Sequence, residues 1–307
     1  MIPTAIAKAF LLSRYLKTSS KHLLYSRARS VIPQNNNFDV IRLFAALLVL
    51  FSHSFPLVDG ENRNEPLAIL SGGEATFGSV AVYVFFVISG FLVTMSYEST
   101  QNVRKFLAKR FLRIYPALIP LLLLTVFVLG PIVTSLSSME YFLNGRSYNY
   151  LNNLRLFKLQ YDLPGVFENN PYKSAVNGSL WTLAYECSCY LIVAVLGLIG
   201  ALKKRHFVLF LFLATFLPLP LNFIHPNVQV LSDLFKYFSG GMLAYLYFDR
   251  ISFSKKYVFV VLAATVLAMI TPQLKFLLVP FGSYLIIKTA FMSFPKLPNV
   301  TKYGDLS

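Results

Sequence analysis

The feature that most constrains this chain is a succession of about eight apolar stretches, at roughly residues 40–58, 78–97, 114–134, 180–200, 206–224, 232–248, 257–272 and 274–292, punctuated by short basic clusters. Most are long enough to cross a hydrocarbon core of about 30 Å as helices. The sixth and seventh are short, and Pro218, Pro220 and Pro272 blur the ends of their neighbours. The expected fold class is therefore all-α, a polytopic transmembrane helical bundle of about eight spans. With 56% hydrophobic and only 13% charged residues, the composition excludes both a soluble cytosolic enzyme and a disordered chain, because too few charges remain to solvate a surface.

A net charge of +15 would suggest nucleic acid in a soluble protein. Here the cations sit between apolar runs, the pattern of cytoplasmic membrane loops, so no nucleic-acid partner is expected. Basic residues dominate before the first span (Lys8, Arg14, Lys17, Lys21, Arg27, Arg29) and over 98–113 (Arg104, Lys105, Lys109, Arg110, Arg113). The intervening loop is acidic, with Asp59, Glu61, Glu65 and Glu74. This alternation places the amino terminus and the loops near 98–113, 201–205 and 249–256 in the cytoplasm. Residues 1–37 read as a basic segment, either an amphipathic helix on the inner membrane surface or a disordered tail. Residues 135–179 form a long external loop rich in Asn, Tyr and Pro, ordered by its aromatics, which either caps an outward cavity or simply connects two spans. Cys187 and Cys189 lie two apart in one apolar run, on different helix faces, and cannot bridge.

Ionisable groups inside spans are costly, so each carries a functional hypothesis. In IRLFAALLVLFSH, Arg42 and His53 are eleven residues apart, which returns them to one helix face with roughly 16 Å of rise between them. Arg42 is then either a snorkelling interfacial cation or part of a site. His53 is either a packing residue bonded by Ser52 or Ser54, or a general base able to activate a hydroxyl. In KRFLRIYPAL, Arg110 and Arg113 share a face. They serve either as positive-inside anchors or as a clamp for a phosphorylated ligand. Glu186, about six residues inside the fourth span and close to the depth of His53, could orient that imidazole, bind an acceptor, or be held neutral by burial. Beside it, Trp181 and Tyr185 read as acceptor contacts or as an aromatic belt. Ser89-Gly90 permits close helix approach, or room for a thin ligand arm. The four histidines, His22, His53, His206 and His225, have no metal-ligand spacing, so no metal is expected.

Taken in order, FDVIRLFAALLVLFSH, YVFFVISGFLVT, FLAKRFLRIYPAL, SLWTLAYECSCY and FSGGMLAYLY resemble membrane-bound acyltransferase family 3, which includes bacterial O-acetyltransferases of surface glycans. The resemblance covers residues 38–307. It implies catalysis by His53, with Glu186 beside it, and binding of acetyl-CoA as acyl donor by Arg42, Arg110 and Arg113, with Ser89 along the arm of the donor. It also implies contact of Trp181 and Tyr185 with a glycan or lipid-linked saccharide acceptor, and residence among the lipids of the bacterial inner membrane as a multi-pass protein. The terminal TKYGDLS resembles the start of a segment that continues into a last span, so the domain is expected to lack its final span or spans. Two other readings stand beside this one. One is a transporter or flippase using Arg42, His53 and Glu186 as a substrate or proton path; the other is an inactive truncated remnant.

Overall fold

The computed structural model describes residues 36–172, 174–217, 225–270 and 276–292, so all but the last two residues of the basic segment 1–37, and the terminal TKYGDLS, lie outside the described residues. Each of the eight apolar stretches contains a helix. These are α1 (Phe38–Asp59), α2 (Phe77–Thr100), α3 (Val103–Leu124), α4 (Trp181–Leu198), α5 (Arg205–Ala214), α6 (Pro226–Leu246), α7 (Lys255–Ile270) and α8 (Leu278–Ala290). Among the described residues, four helical stretches are long and apolar enough to cross a membrane: α1, α2, α3 with its continuation to Val133, and Gly178–Leu198. The bundle is all-helical, with one isolated β-bridge between Thr134 and Val166 among the described residues.

Two helix starts lie well ahead of the sequence expectation. The third rod starts at Val103, so Arg110 and Arg113 ride on a continuous helix, capped where Asn102 accepts from the Lys105 N–H. The sixth starts at Pro226, where proline suits the first turn because its missing N–H is not needed there. This earlier start carries Asp233 and Lys236 well inside the helix.

α3 continues through a π-helical turn, Thr125–Leu129, into Gly130–Val133. Widening the helix aims the Val126 carbonyl at residue 131, a proline that has no N–H to give. The buried Tyr141 hydroxyl donates to that carbonyl instead, at 2.9 Å. Tyr141 belongs to the connection after Val133, which carries local bonds of its own. Ser137 and Glu140 form a capping box at the start of Ser138–Leu143, and the Ser137 hydroxyl and N–H hold the Glu140 carboxyl below its ordinary range. Asn153 and Gln160 exchange two bonds of 2.8 Å.

Helix directions follow from a few contacts. Phe38 meets Phe91 at a ring separation of 5.5 Å, while Ser52 lies against Gly78, so α1 and α2 are antiparallel. Tyr83 stacks on Tyr237 at 3.9 Å and Phe91 meets Tyr245 edge-on at 5.5 Å, so α2 and α6 run parallel. These two helices cross with their backbones in contact: a Cβ on Gly90 would overlap the Phe238 carbonyl, and one on Gly241 the Val87 carbonyl. Small residues let the backbones touch, the usual device where hydrophobicity cannot drive helices together. α1 packs on the bundle's flank and turns Phe44, Leu47 and Leu50 outward at 62%, 52% and 68% exposure. In water that surface would be unfavourable; in lipid it is the expected exterior.

Candidate functional site

α1 ends at Gly60, which takes a left-handed φ of 81° that few other residues tolerate. Just before that end, Pro56 leaves the Ser52 carbonyl without its helical N–H. At this level α1 and the starts of α2, α4 and α6 line an open cavity of about 620 Å³. Its wall includes His53, Ser79, Tyr83, Trp181, Thr182 and Asp233. Neither serine beside the imidazole satisfies it: Ser54 donates to the Phe51 carbonyl at 2.7 Å, and Ser52 is buried against Gly78. His53 therefore reaches the cavity as a ring not bonded by Ser52 or Ser54. The connection after Val133 meets this same end, where Pro171 packs against Gly60.

A second polar cluster lies further along the bundle. Glu186 accepts from Ser89 at 3.4 Å and from the hydroxyl of Tyr190, one turn along α4. The Arg110 guanidinium sits 5.5 Å over the Tyr190 ring and 5.9 Å over that of Phe106, and it donates to Ser96 at 3.4 Å. Arg110 Nε is buried without a hydrogen-bond partner, and an orphaned guanidinium donor fits an anionic or carbonyl ligand. Arg113 is exposed one turn away on the same helix.

The structure thus groups the sequence-singled residues into two sets. His53 and Trp181 share the cavity, while Ser89, Glu186 and Arg110 share the second cluster. Tyr185 lies outside the cavity lining; its ring meets Trp181 at 5.6 Å and its hydroxyl donates to Asn227 at 3.3 Å. Glu186 is about one helical turn below Thr182, the deepest α4 residue on the cavity wall, rather than level with His53. The reason is that the first turn of α4, Trp181 and Thr182, already shares the cavity with His53, so Glu186 lies deeper, where it meets Ser89 of α2. Arg42 falls level with Ile88 and Ser89, given the α1–α2 register. That is about two turns deeper than Ser96, which Arg110 contacts. Its side chain is only 16% exposed and pairs with Asp39 at 3.9 Å, which places it inside the bundle rather than snorkelling outward.

Two residues were missed by sequence reasoning. Asp233 lines the His53 cavity; its place inside the sixth apolar stretch, where an ionisable group is costly, was the available signal. Tyr190 links Glu186 to Arg110, and its position four residues after Glu186 was the available signal. Among the described residues no group of three His, Cys, Asp or Glu side chains is placed to hold a metal. Cys187 and Cys189 are both free thiols.

Comparison with known proteins identifies the family. The family model described as an acyltransferase domain matches residues 35–298. An O-acetyl transferase of Shigella phage Sf6 is 35% identical over 162 residues, 53% of this chain and 46% of that protein. Nodulation protein 10 of Rhizobium leguminosarum bv. viciae is 33% identical over 230 residues, 71% of this chain and 61% of that protein. The chain thus spans roughly half to three-fifths of the length of these curated relatives. No solved structure matches it. A helical membrane bundle with this order of motifs and this family match over most of its length belongs to acyltransferase family 3.

Proposed function

We propose that the protein is a multi-pass O-acetyltransferase of the bacterial inner membrane, moving an acetyl group from cytoplasmic acetyl-CoA to a hydroxyl of a cell-surface or exported glycan. The amino terminus and the Arg110 end face the cytoplasm, and the His53 cavity faces outward. The observation that carries this reading is the division of one bundle into an arginine cluster toward one end and a His53 cavity at the other, with Arg42 and His53 on the same helix.

Acetyl-CoA supplies the acyl group as a thioester whose phosphorylated head suits guanidinium groups. Arg110 and Arg113 hold that head, and Ser89, Glu186 and Tyr190 keep Arg110 positioned while Arg42 continues the polar file toward the cavity. Trp181 and Tyr185 contact the saccharide, which is presented free or on a lipid carrier. His53 takes the proton as the acceptor oxygen attacks the thioester carbonyl. The C–O bond forms, the C–S bond breaks, and the proton passes from the imidazole to the leaving thiolate.

The test is transfer of labelled acetyl to a saccharide by the protein in lipid nanodiscs. Losing one charge-assisted contact to a phosphate costs about 1.5–3 kcal/mol, so Arg110→Ala is expected to raise the KM for acetyl-CoA about tenfold or more, with little change in the acceptor KM. Saccharide movement across sealed vesicles without any acetyl transfer would favour the transporter reading instead.

A further inference from the structure

The His53 cavity is asymmetric in charge. Among the described residues its wall has one carboxylate, Asp233, and no lysine or arginine. Asp233 is held rigidly on α6. Lys236 Nζ donates to its Oδ1 at 2.6 Å, and Gln229 Nε2 donates to its Oδ2 at 3.2 Å. Gln229, Asp233 and Lys236 are three and four residues apart, one stripe of the helix. Lys236 lies off the cavity wall, so the ion pair fixes the carboxylate from behind while the carboxylate itself faces the space; its side chain is 49% exposed. Each carboxylate oxygen keeps lone-pair capacity for a hydroxyl donor. Beside it, Tyr83 and Trp181 contribute aromatic surface, which suits the apolar face of a sugar ring.

Resting on the reading of this cavity as the acceptor site, we propose that Asp233 makes it selective for an uncharged saccharide unit, whose hydroxyls donate to the carboxylate and which carries no carboxylate or phosphate beside the reacting hydroxyl. A second anion would face Asp233 with no lysine or arginine on the described cavity wall to pair with it, the Lys236 ammonium being already engaged by Oδ1, and like-charge juxtaposition of this kind discriminates between ligands.

Trp181 is the only tryptophan of the chain and lines the cavity, so its fluorescence reports occupancy without requiring turnover. The protein in phosphatidylcholine nanodiscs is titrated with the methyl glycosides of glucose, galactose and mannose, and with the corresponding methyl uronates. At least one uncharged glycoside is expected to change Trp181 emission, with its uronate binding about tenfold more weakly or worse. Asp233→Asn should narrow that ratio to within about threefold, Asp233→Lys should invert it, and Asp233→Glu should preserve it. Equal affinity of the wild type for glycoside and uronate, an unaltered ratio in Asp233→Asn, or no response to any glycoside would overturn the proposal. Acetyl transfer is assayed on the same samples: selective binding without transfer counts against the acetyltransferase reading alone, and transfer without selectivity counts against the role of Asp233 alone.

Discussion

Alanine in place of His53 is expected to slow acetyl transfer by about 100- to 10,000-fold, the range contributed by a positioned general base, while leaving the bundle folded. The side chain lines a cavity rather than filling the core, so its removal enlarges a space that is already open and costs little packing. His53→Gln gives the sharper comparison, because an amide can accept a hydrogen bond from the acceptor hydroxyl but cannot take its proton. It should bind saccharide normally, by Trp181 fluorescence, and still lose the rate. Transfer at the wild-type rate by either variant would remove His53 from the chemistry.

The largest structural effect is expected at Gly90. A methyl group there has no room against the Phe238 backbone, and backbone cannot rotate aside as a side chain can. The reciprocal contact of Gly241 with the Val87 carbonyl means α2 and α6 must separate along the whole crossing to admit it. Overpacking a well-filled site typically costs about 1–3 kcal/mol, sometimes more. Gly90→Ala is thus expected to lower the thermal midpoint in detergent by several degrees, and Gly90→Leu to yield no monodisperse folded protein by size exclusion. Because Ser89 precedes Gly90 and bonds Glu186, and Tyr83 two turns earlier lines the His53 cavity, loosening this crossing should disturb both polar sites. A Gly90→Leu protein with an unchanged midpoint would mean that α2 and α6 do not meet this closely.

Much of the bundle is legible in the sequence, because hydrophobic length and proline placement are local properties. The eight apolar stretches each hold a helix, and the arginine spacing of α3 survives intact. The glycine of the Ser89-Gly90 pair is where two backbones meet, although its partner lies on a helix far along the chain and no local signal names it. Depth is harder to read. Counting Glu186 from the apparent start of its own span puts it level with His53, but spans begin at different heights, and the first turn of α4 already stands at the His53 cavity. Arg42 stays open in the sequence between an interfacial cation and a site residue, because its depth depends on the register of α1 against α2. Asp233 falls one residue inside the sixth apolar stretch, where an acidic group reads as interfacial. Its meaning depends on sharing a cavity with His53, a relation between α1 and α6 that only tertiary packing creates.

The central claim is that donor and acceptor approach from opposite ends of the bundle and meet along the face shared by Arg42 and His53. Its most direct test uses the protein reconstituted in sealed vesicles of known orientation. Labelled acetyl-CoA is supplied only on the face bearing Arg113, and a saccharide acceptor only on the face bearing the His53 cavity. Label on the saccharide across the intact bilayer, abolished by His53→Gln, is the expected result; transfer only when both substrates share one face would contradict it.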